Sequence, residues 1–253
     1  MKISIITVAF NAVDTIEDTV LSVASQQHAD IEHVMIDGGS TDGTRDVLER
    51  HRSRFAKLVM EPDHGMWDAM NKGIRLATGD VVGILNADDV YADPTVMDQV
   101  ASAMSDGNVE GCYSDLVYVD RPTATRVIRH WKSREYAAGL FETGWCPPHP
   151  TVFVRRPVYE RCGTFDPAFH FSADAELLMR ILAVHGVRTA YVPKVWVKMR
   201  IGGLSNKYVR NIPRQQLEIL RAGRKNGLRM RPALFLTRKL RSRIRQFLSK
   251  PER

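Results

Sequence analysis

Residues 81–91 read VVGILNADDVY: five apolar or glycine residues are followed by Asn86 and then by two adjacent carboxylates, Asp88 and Asp89. Such a run has the length and composition of a strand buried on both faces. Neighbouring like charges repel, and they stay ionised at little cost only where water or a cation neutralises them. The stretch therefore predicts a buried strand that ends at a site for a positively charged group.

The same order of strand and helix recurs on the N-terminal side of this stretch. Each apolar or β-branched run is followed by a turn and then by apolar residues at helical spacing, as in residues 3–8 and 16–24, 31–37 and 44–54, and 56–62 and 65–77. Strands that alternate with helices predict an α/β protein with a single Rossmann-like, mostly parallel sheet flanked by helices. Ligands of such sheets bind beyond the carboxyl ends of the strands. The strand ends at Phe10 and Asn11, at Asp37 and at Asn86 should therefore meet at one edge.

The remainder of the chain is less regular. The patterns predict helices over residues 96–104 and 172–186, strands near residues 111–120 and 151–156, and an irregular segment over residues 121–150. Two further helices are expected at about residues 213–225 and 232–249.

Composition restricts the class of protein. At 253 residues, with 44% hydrophobic and 26% charged residues, the chain matches one main globular domain. Its three cysteines form no CxxC pair, which argues against a disulfide framework or a zinc site and favours a reducing compartment. The apolar start reads as a first strand rather than a leader peptide, and no run approaches the roughly 18 apolar residues of a membrane span.

Charge is distributed unevenly along the sequence. Residues 198–253 contain 17 Lys and Arg and two acidic residues, so this segment carries a net charge of +15 and the first 197 residues carry −8. In the last predicted helix, one face is apolar and basic residues cover the rest; its apolar residues are Leu236, Leu240, Ile244, Phe247 and Leu248. This pattern is typical of a helix on an anionic membrane surface, and equally of a helix packed on its own domain or on a second subunit. No nucleic-acid-binding module is recognisable.

Five ordered motifs resemble those of the family 2 glycosyltransferases, which are inverting enzymes with the GT-A fold. They are SIITVAFNAVDTIEDTVLSVASQ, IDGGSTDGT, EPDHGMWDAMNKGIRLATGD, LNADD and FDPAFHFSADAELLMRI, and the resemblance covers residues 3–205. The sequence looks like the non-processive bacterial members that build surface polysaccharides or glycolipids, because the QxxRW motif of processive members is absent. The resemblance implies a glycosyltransferase domain over residues 1–205 and a basic helical tail over residues 206–253.

The resemblance also implies a metal and a donor site. In this family the acidic motif holds Mg²⁺ or Mn²⁺, which binds the diphosphate of a nucleotide sugar; here Asp88 and Asp89 are the expected ligands, with Asn86 in place of the commoner first acid. A UDP-sugar is the first expectation, and a GDP- or dTDP-sugar is the alternative. Gly38 stands where family members often carry a second, base-reading acid. The other residues expected at the donor site are Thr7, Phe10, Asn11, Asp37, Asp68, Asn71, Lys72, Arg200 and Ser205.

Asp174 aligns with the family's catalytic base, which takes the proton of the attacking acceptor hydroxyl. Ala173 replaces the acid that often precedes that base. His149 and Trp145 are further candidates for contacts with the acceptor, the diphosphate or a sugar ring. Each candidate also has a plainer interpretation, as a helix-capping carboxylate, a loop histidine or a core aromatic.

We therefore expect an enzyme that transfers one sugar to a hydroxyl of a lipid-linked glycan or glycolipid during synthesis of a cell-surface polysaccharide. The expected location is the cytoplasm, on the inner face of the cytoplasmic membrane. A catalytically silent assembly partner is one alternative. A sugar-nucleotide pyrophosphorylase is another, although its phosphate-binding loop is missing after the first strand. The sequence does not identify the donor sugar, the acceptor or the number of subunits.

Overall fold

The computed structural model describes residues 1–202 and 212–248. Its first half repeats a strand–helix unit. The four strands of this half are parallel and lie in the order β3-β2-β1-β4. The elements are β1 (Ile3–Ala9), α1 (Ile16–Ala24), β2 (Ile31–Asp37), α2 (Thr44–Arg50), β3 (Lys57–Met60), α3 (Met66–Leu76) and β4 (Val81–Ile84).

The second half extends the same sheet with mixed pairing. Within the described residues the sheet has nine strands, and its order continues from β4 as β8-β6-β9-β5, with β7 also on β6. β8 is antiparallel to both neighbours, whereas β6 and β9 are parallel. The elements are β5 (Val90–Tyr91), α4 (Val96–Ala103), β6 (Gly111–Val119), β7 (Val127–Trp131), β8 (Phe153–Arg155), α5 (Arg156–Cys162), α6 (Ala173–Met179) with a π-helical turn at Arg180–Val184, and β9 (Thr189–Arg200).

The expected α/β class is confirmed, and three strands go beyond the expectation: the two-residue β5, β7 and β9. β7 lies inside the segment that the sequence predicted to be irregular, and β9 had no prediction at all. β9 carries a proline and two lysines and is only partly buried, so it lacks the continuous apolar run that marks β1 and β4.

Helices cover both faces of the sheet because the buried strand β1 sends alternate side chains to opposite sides. Ile6 and Val8 join the core beneath α3 and α6, and Ile3 and Ile5 join the core beneath α4. Burial of all seven β1 residues follows from this two-sided packing.

The two tail helices are α7 (Ile212–Lys225) and α8 (Pro232–Leu248), close to the predicted limits. Both contribute to the core beneath α3 and α6, through Ile219 and Leu220 of α7 and Phe235 of α8. α8 lies directly on Gly144, where a Cβ would come within 3.0 Å of the Lys239 Cβ. The beginning of α8 therefore packs on its own domain.

The opposite edge of the sheet, at the amino ends of β1 and β2, is held together by the buried carboxylate of Glu32. It accepts hydrogen bonds from the Thr78 backbone nitrogen (2.7 Å) and hydroxyl (2.6 Å), from the Ser4 hydroxyl, and from Lys2 Nζ (3.1 Å). Burial acts to raise the pKa of Glu32, but these hydrogen bonds outweigh it and lower the pKa from 4.5 to about 2. The charged form is therefore favoured by folding.

We expect Glu32→Gln to lower the free energy of unfolding at pH 7 by about 1–2 kcal/mol, since solvent reaches part of the network and screens it. A carboxylate whose pKa is lowered by folding stabilises the fold above its unfolded pKa, and this contribution disappears as pH falls through the folded pKa. Urea unfolding followed by circular dichroism should show the difference shrinking between about pH 4.5 and pH 2. The exposed Glu49→Gln is the control, and a difference that is independent of pH would contradict this account.

Candidate active site

The carboxyl ends of the parallel strands meet at one edge of the sheet, as expected. Ala9 pairs with Asp37 across β1 and β2, and Ile6 pairs with Ile84 across β1 and β4. The 3₁₀ turn His149–Thr151 precedes β8, which is antiparallel to β4, so this turn reaches the same edge. Segments that are distant in the sequence therefore form a common rim, called the carboxyl rim below.

Phe10 and Asn11 occupy the end of β1 in different ways. The Phe10 side chain is 57% exposed, which excludes a core role and leaves its ring available to a ligand. Asn11 adopts a left-handed backbone with φ of 49°. It accepts a hydrogen bond from the Thr41 backbone nitrogen (2.9 Å), and its own backbone nitrogen donates to Ser40 Oγ (2.8 Å). Asn11 thus fixes the turn after β2 beside the exposed ring.

Asp37 and Thr7 lie beneath the rim rather than on it. Asp37 is fully buried, and it accepts hydrogen bonds from the backbone nitrogens of Gly39 (3.2 Å) and Ser40 (3.0 Å) and from the Ser40 hydroxyl. Thr7 is also fully buried, with its hydroxyl 3.0 Å from His33 Nε2. Asp37 stabilises the turn after β2, and Thr7 links β1 to β2. Neither side chain is therefore among the proposed ligand contacts.

The three candidates on α3 also have protein partners. Asp68 accepts a hydrogen bond from the His64 backbone nitrogen (3.2 Å) at the start of the helix. Asn71 is held by both backbone groups of Phe165, at 2.9 Å each. Lys72 forms an ion pair with Glu61 at 2.6 Å and not with Asp68. Asn71 therefore anchors the segment before α6, while Asp68 and Lys72 keep charged groups near the surface.

The acidic motif after β4 contains one buried and one half-buried carboxylate. Asp89 is buried and accepts hydrogen bonds from Asn86 Nδ2 (3.1 Å) and from the Arg200 backbone nitrogen (3.2 Å). Asp88 is half-buried; its own backbone nitrogen donates to its carboxylate, and within the described part of the chain no other residue does. Asp88 is therefore the oxygen ligand that this loop can offer to a cation, and Asp89 holds the loop in place.

The electrostatics of this pair fit a divalent cation. Burial raises the pKa of Asp88, and burial together with the Asp88 charge raises the pKa of Asp89 well above its usual range. A cation beside Asp88 would reverse both effects. Residues 1–202 and 212–248 contain no cluster of three His, Cys, Asp or Glu side chains that could enclose a metal. This donor set suits an ion held by one or two carboxylates and completed by phosphate and water oxygens, as Mg²⁺ commonly is.

Arg200 is a buried anchor of the acidic motif rather than a free phosphate ligand. Its guanidinium donates to the backbone oxygens of Arg121 (2.9 Å) and Asp88 (3.0 Å) and pairs with the Asp18 carboxylate. Its partners, on α1 and before β7, could not be predicted because nothing in the local sequence pattern marks them. Ser205, the other expected phosphate contact, lies outside the described residues.

Asp174 lies in the first turn of α6, close to the turn that carries His149. Burial lowers the pKa of His149, and the Asp174 charge partly opposes this shift. The His149 ring contacts Phe165 edge-to-face at 5.4 Å, and Phe165 in turn stacks on Trp67 at 5.2 Å. A carboxylate and an imidazole thus share one part of the site and could act on the same hydroxyl proton.

Trp145 is part of an aromatic cluster rather than a free sugar platform. Its ring lies 5.5 Å from Phe141, 5.9 Å from Tyr136 and 6.1 Å from Tyr113. Glu176, two residues after Asp174, is fully buried and pairs with Arg180 (2.7 Å) and Lys225 (2.9 Å). The side chains of Trp145 and Glu176 both contact other protein side chains and so stabilise the structure around the candidate site.

The ends of β1 and β4 and the start of α6 thus contribute an exposed aromatic ring and two half-buried carboxylates, Asp88 and Asp174, in an α/β fold. The sequence model of Glycosyl transferase family 2 matches residues 4–163, and the chain belongs to this family. An uncharacterized glycosyltransferase of Mycobacterium tuberculosis is 34% identical over 188 residues, 72% of this chain and 69% of that protein. A PGL/p-HBAD biosynthesis glycosyltransferase of the same species is 30% identical over 210 residues, 81% of this chain and 80% of that protein.

Solved structures show the same fold at low sequence identity. S. aureus TarS 1-349 in complex with UDP superposes with a TM-score of 0.67 at 17% identity, covering 98% of this chain and 72% of that one. The mannosyltransferase PcManGT from Pyrobaculum calidifontis, in complex with GDP-Man and Mn²⁺, gives 0.68 at 21%, covering 95% and 69%. The longer TarS structure is covered only to 43%. The fold is the GT-A glycosyltransferase fold that the motifs implied.

We expect Arg200→Lys to lower the free energy of unfolding by about 1–3 kcal/mol, because an ammonium cannot reach all three acceptors of the guanidinium. Chemical denaturation measures this loss, and Arg126→Lys, at a nearby exposed position, is the control. Unchanged stability combined with weaker nucleotide binding would instead make Arg200 a phosphate ligand.

Proposed function

We propose that the chain is an inverting, metal-dependent glycosyltransferase that moves a single sugar from a nucleotide diphosphate sugar to a hydroxyl of a lipid-linked glycan or glycolipid. The observation that carries this proposal is the half-buried Asp88 carboxylate at the carboxyl rim, next to the buried Asp89; within the described residues no other residue donates a hydrogen bond to it. The charges of Arg121 and Arg200 lower its pKa, but burial outweighs them and raises it, so a further positive charge would stabilise the ionised pair.

The donor half of the site combines Asp88 with Phe10. Asp88 would hold Mg²⁺ or Mn²⁺, and the bound ion would neutralise the diphosphate as it leaves. The exposed Phe10 ring gives the nucleobase a stacking surface. The structural neighbours bind UDP, UDP-GlcNAc and GDP-Man, which supports a UDP-sugar as the first candidate donor and a GDP-sugar as the second.

The transfer half of the site rests on Asp174. The acceptor hydroxyl oxygen forms a bond to the anomeric carbon while the bond from that carbon to the phosphate oxygen breaks on the opposite face, which inverts the configuration. The nucleoside diphosphate leaves with the bonding electrons, and the hydroxyl proton passes to the Asp174 carboxylate and then to water. His149, which is near enough to Asp174 for the two groups to influence each other, would orient the hydroxyl.

The acceptor is proposed from the tail and from one relative. A PGL/p-HBAD biosynthesis glycosyltransferase covers most of the chain, which favours a glycolipid. Phe235 of α8 is buried against the domain, whereas Leu236 is 46% exposed beside a segment rich in Lys and Arg. None of the helices in residues 1–202 and 212–248 is long and apolar enough to cross a bilayer. We place the outward face of α8 on an anionic membrane surface, at the inner side of the cytoplasmic membrane.

Two substitutions should separate donor binding from transfer. Asp88→Asn is expected to abolish metal-dependent binding of nucleoside diphosphates, because it removes the charge of the proposed metal ligand. Asp174→Asn should keep that binding but lower the transfer rate at least about a hundredfold, as expected for loss of a general base. Calorimetry with Mn²⁺ and nucleoside diphosphates, followed by a panel of nucleotide sugars with a lipid-linked acceptor, measures both effects.

The control for this pair is Asp89→Asn, which should mainly reduce stability. Wild-type protein that binds no nucleotide in the presence of metal would favour a catalytically silent assembly partner. Full activity of Asp174→Asn would remove that residue from its role.

The membrane proposal predicts binding to vesicles that contain anionic lipid and release at high salt, since each basic residue near such a surface contributes about 1 kcal/mol. Leu236→Glu should weaken binding in a vesicle sedimentation assay, because it places a charge on the outward face of α8. Leu21→Glu, at a similarly exposed position on α1, is the matched control. Equal binding to neutral and anionic vesicles would contradict the proposal.

A further inference from the structure

Gly38, in the turn after β2, has no side chain, and the side chain of Asp63 occupies the space that one would take. A Cβ atom added to Gly38 would lie 2.3 Å from Oδ2 of Asp63 and 2.9 Å from its Cγ. Gly38 has no left-handed backbone, so its conformation would accept any residue. The Asp63 carboxylate therefore occupies the position that a side chain at residue 38 would take, and any larger residue there would displace it.

Asp63 is held in this position with one oxygen still available. It follows β3, whose end is joined to β2 by a hydrogen bond from the Glu61 backbone nitrogen to the Asp37 oxygen (3.0 Å). Oδ1 of Asp63 accepts a hydrogen bond from the Gly65 backbone nitrogen (2.8 Å). Within the described residues Oδ2 has no donor, and the side chain is half-buried. The result is an oriented acceptor at the carboxyl rim.

The neighbourhood of this oxygen indicates what it would accept. Gly38 directly follows the last residue of β2, and its backbone nitrogen donates to the Ala9 oxygen (2.9 Å), one residue before the exposed ring of Phe10. Phe10 offers an aromatic face at the end of β1, and the Asp63 carboxylate reaches from the end of β3 to Gly38 at the end of β2, the neighbour of β1. Together they suit a flat ring that carries an N–H at its edge. Uracil, thymine and guanine have such a ring N–H. Cytosine and adenine present a ring nitrogen lone pair there instead.

Building on the proposed function, we propose that Asp63 is a specificity-determining residue that accepts a hydrogen bond from the ring N–H of the donor nucleobase. Gly38 makes this possible by leaving its side-chain space to Asp63. A base without the N–H would set a lone pair against the carboxylate, and a site built around a hydrogen bond rejects ligands that cannot form it.

Calorimetric titration with UDP, GDP, CDP and ADP in the presence of Mn²⁺ tests this role. The wild-type protein should bind UDP or GDP about tenfold or more tightly than CDP and ADP, the weight of one hydrogen bond to a charged group. Asp63→Asn should reduce this ratio to near one, because a carboxamide can also donate to cytosine or adenine. Glu160→Gln, which removes an exposed carboxylate on α5, should leave the ratio unchanged.

An exchange of the two residues makes the test independent of folding defects. Gly38→Asp alone should weaken binding of all four nucleotides, because the new side chain would collide with Asp63. Gly38→Asp combined with Asp63→Gly returns one carboxylate to the same space from β2, and it should restore the preference for UDP or GDP.

The outcomes separate this inference from the proposed function. Nucleotide binding without a base preference, or a preference that Asp63→Asn retains, would overturn the role of Asp63 and leave the glycosyltransferase proposal standing. Absence of metal-dependent binding of any nucleotide would overturn both. A preference for UDP and a preference for GDP both support the role of Asp63. Which of the two is found shows whether the site binds a pyrimidine or a purine base.

Discussion

Two adjacent carboxylates at the end of a buried strand are the constraint on which the site depends. Asp88 and Asp89 cannot both face a low-dielectric interior in the charged form. The fold buries Asp89, where Asn86 and the Arg200 backbone bind it, and leaves Asp88 half-buried at the rim. The guanidinium of Arg200 donates to the Asp88 backbone oxygen and so holds the loop. Asp89 thus has hydrogen-bond partners in the protein, and Asp88 is the residue that we propose to bind the cation.

The carboxyl rim uses acidic residues in two ways that look alike in the sequence. Asp37 accepts hydrogen bonds from the backbone nitrogens of the two residues that follow Gly38, so its carboxylate is hydrogen-bonded within the turn. Asp63 is only partly engaged, by Gly65, and keeps one oxygen free. Both are short acids in glycine-containing turns, where self-capping is common. Their difference arises from packing between β2 and β3, which the local sequence does not encode.

The sequence predicted the parallel half of the sheet and its rim because burial on both faces leaves an unbroken apolar run in strands such as β1 and β4. It did not predict β9, whose partly exposed residues alternate irregularly. The environments of the predicted site residues differ in the same way. Phe10 is exposed and Asp88 is half-buried at the ends of β1 and β4. Thr7 and Arg200 instead contact residues far away in the chain, His33 and Asp18. Partners at such separations leave no local pattern.

The tail helices bear on the chemistry through α7. Glu218 of α7 accepts hydrogen bonds from the backbone nitrogens of His170 (3.2 Å) and Phe171 (2.7 Å), the residues that lead into α6. Lys225, at the end of α7, pairs with the buried Glu176 one turn beyond the entry to α6. Asp174 lies between these two attachment points, so the segment that carries the proposed base is attached to α7 at both ends.

α8 follows α7 within a few residues and packs on Gly144. A surface that bound α8 would therefore keep the proposed base at a fixed distance from it and in a fixed orientation. An acceptor embedded in that surface would meet the base without a search in three dimensions, and this would be the physical advantage of the proposed membrane contact of the basic tail.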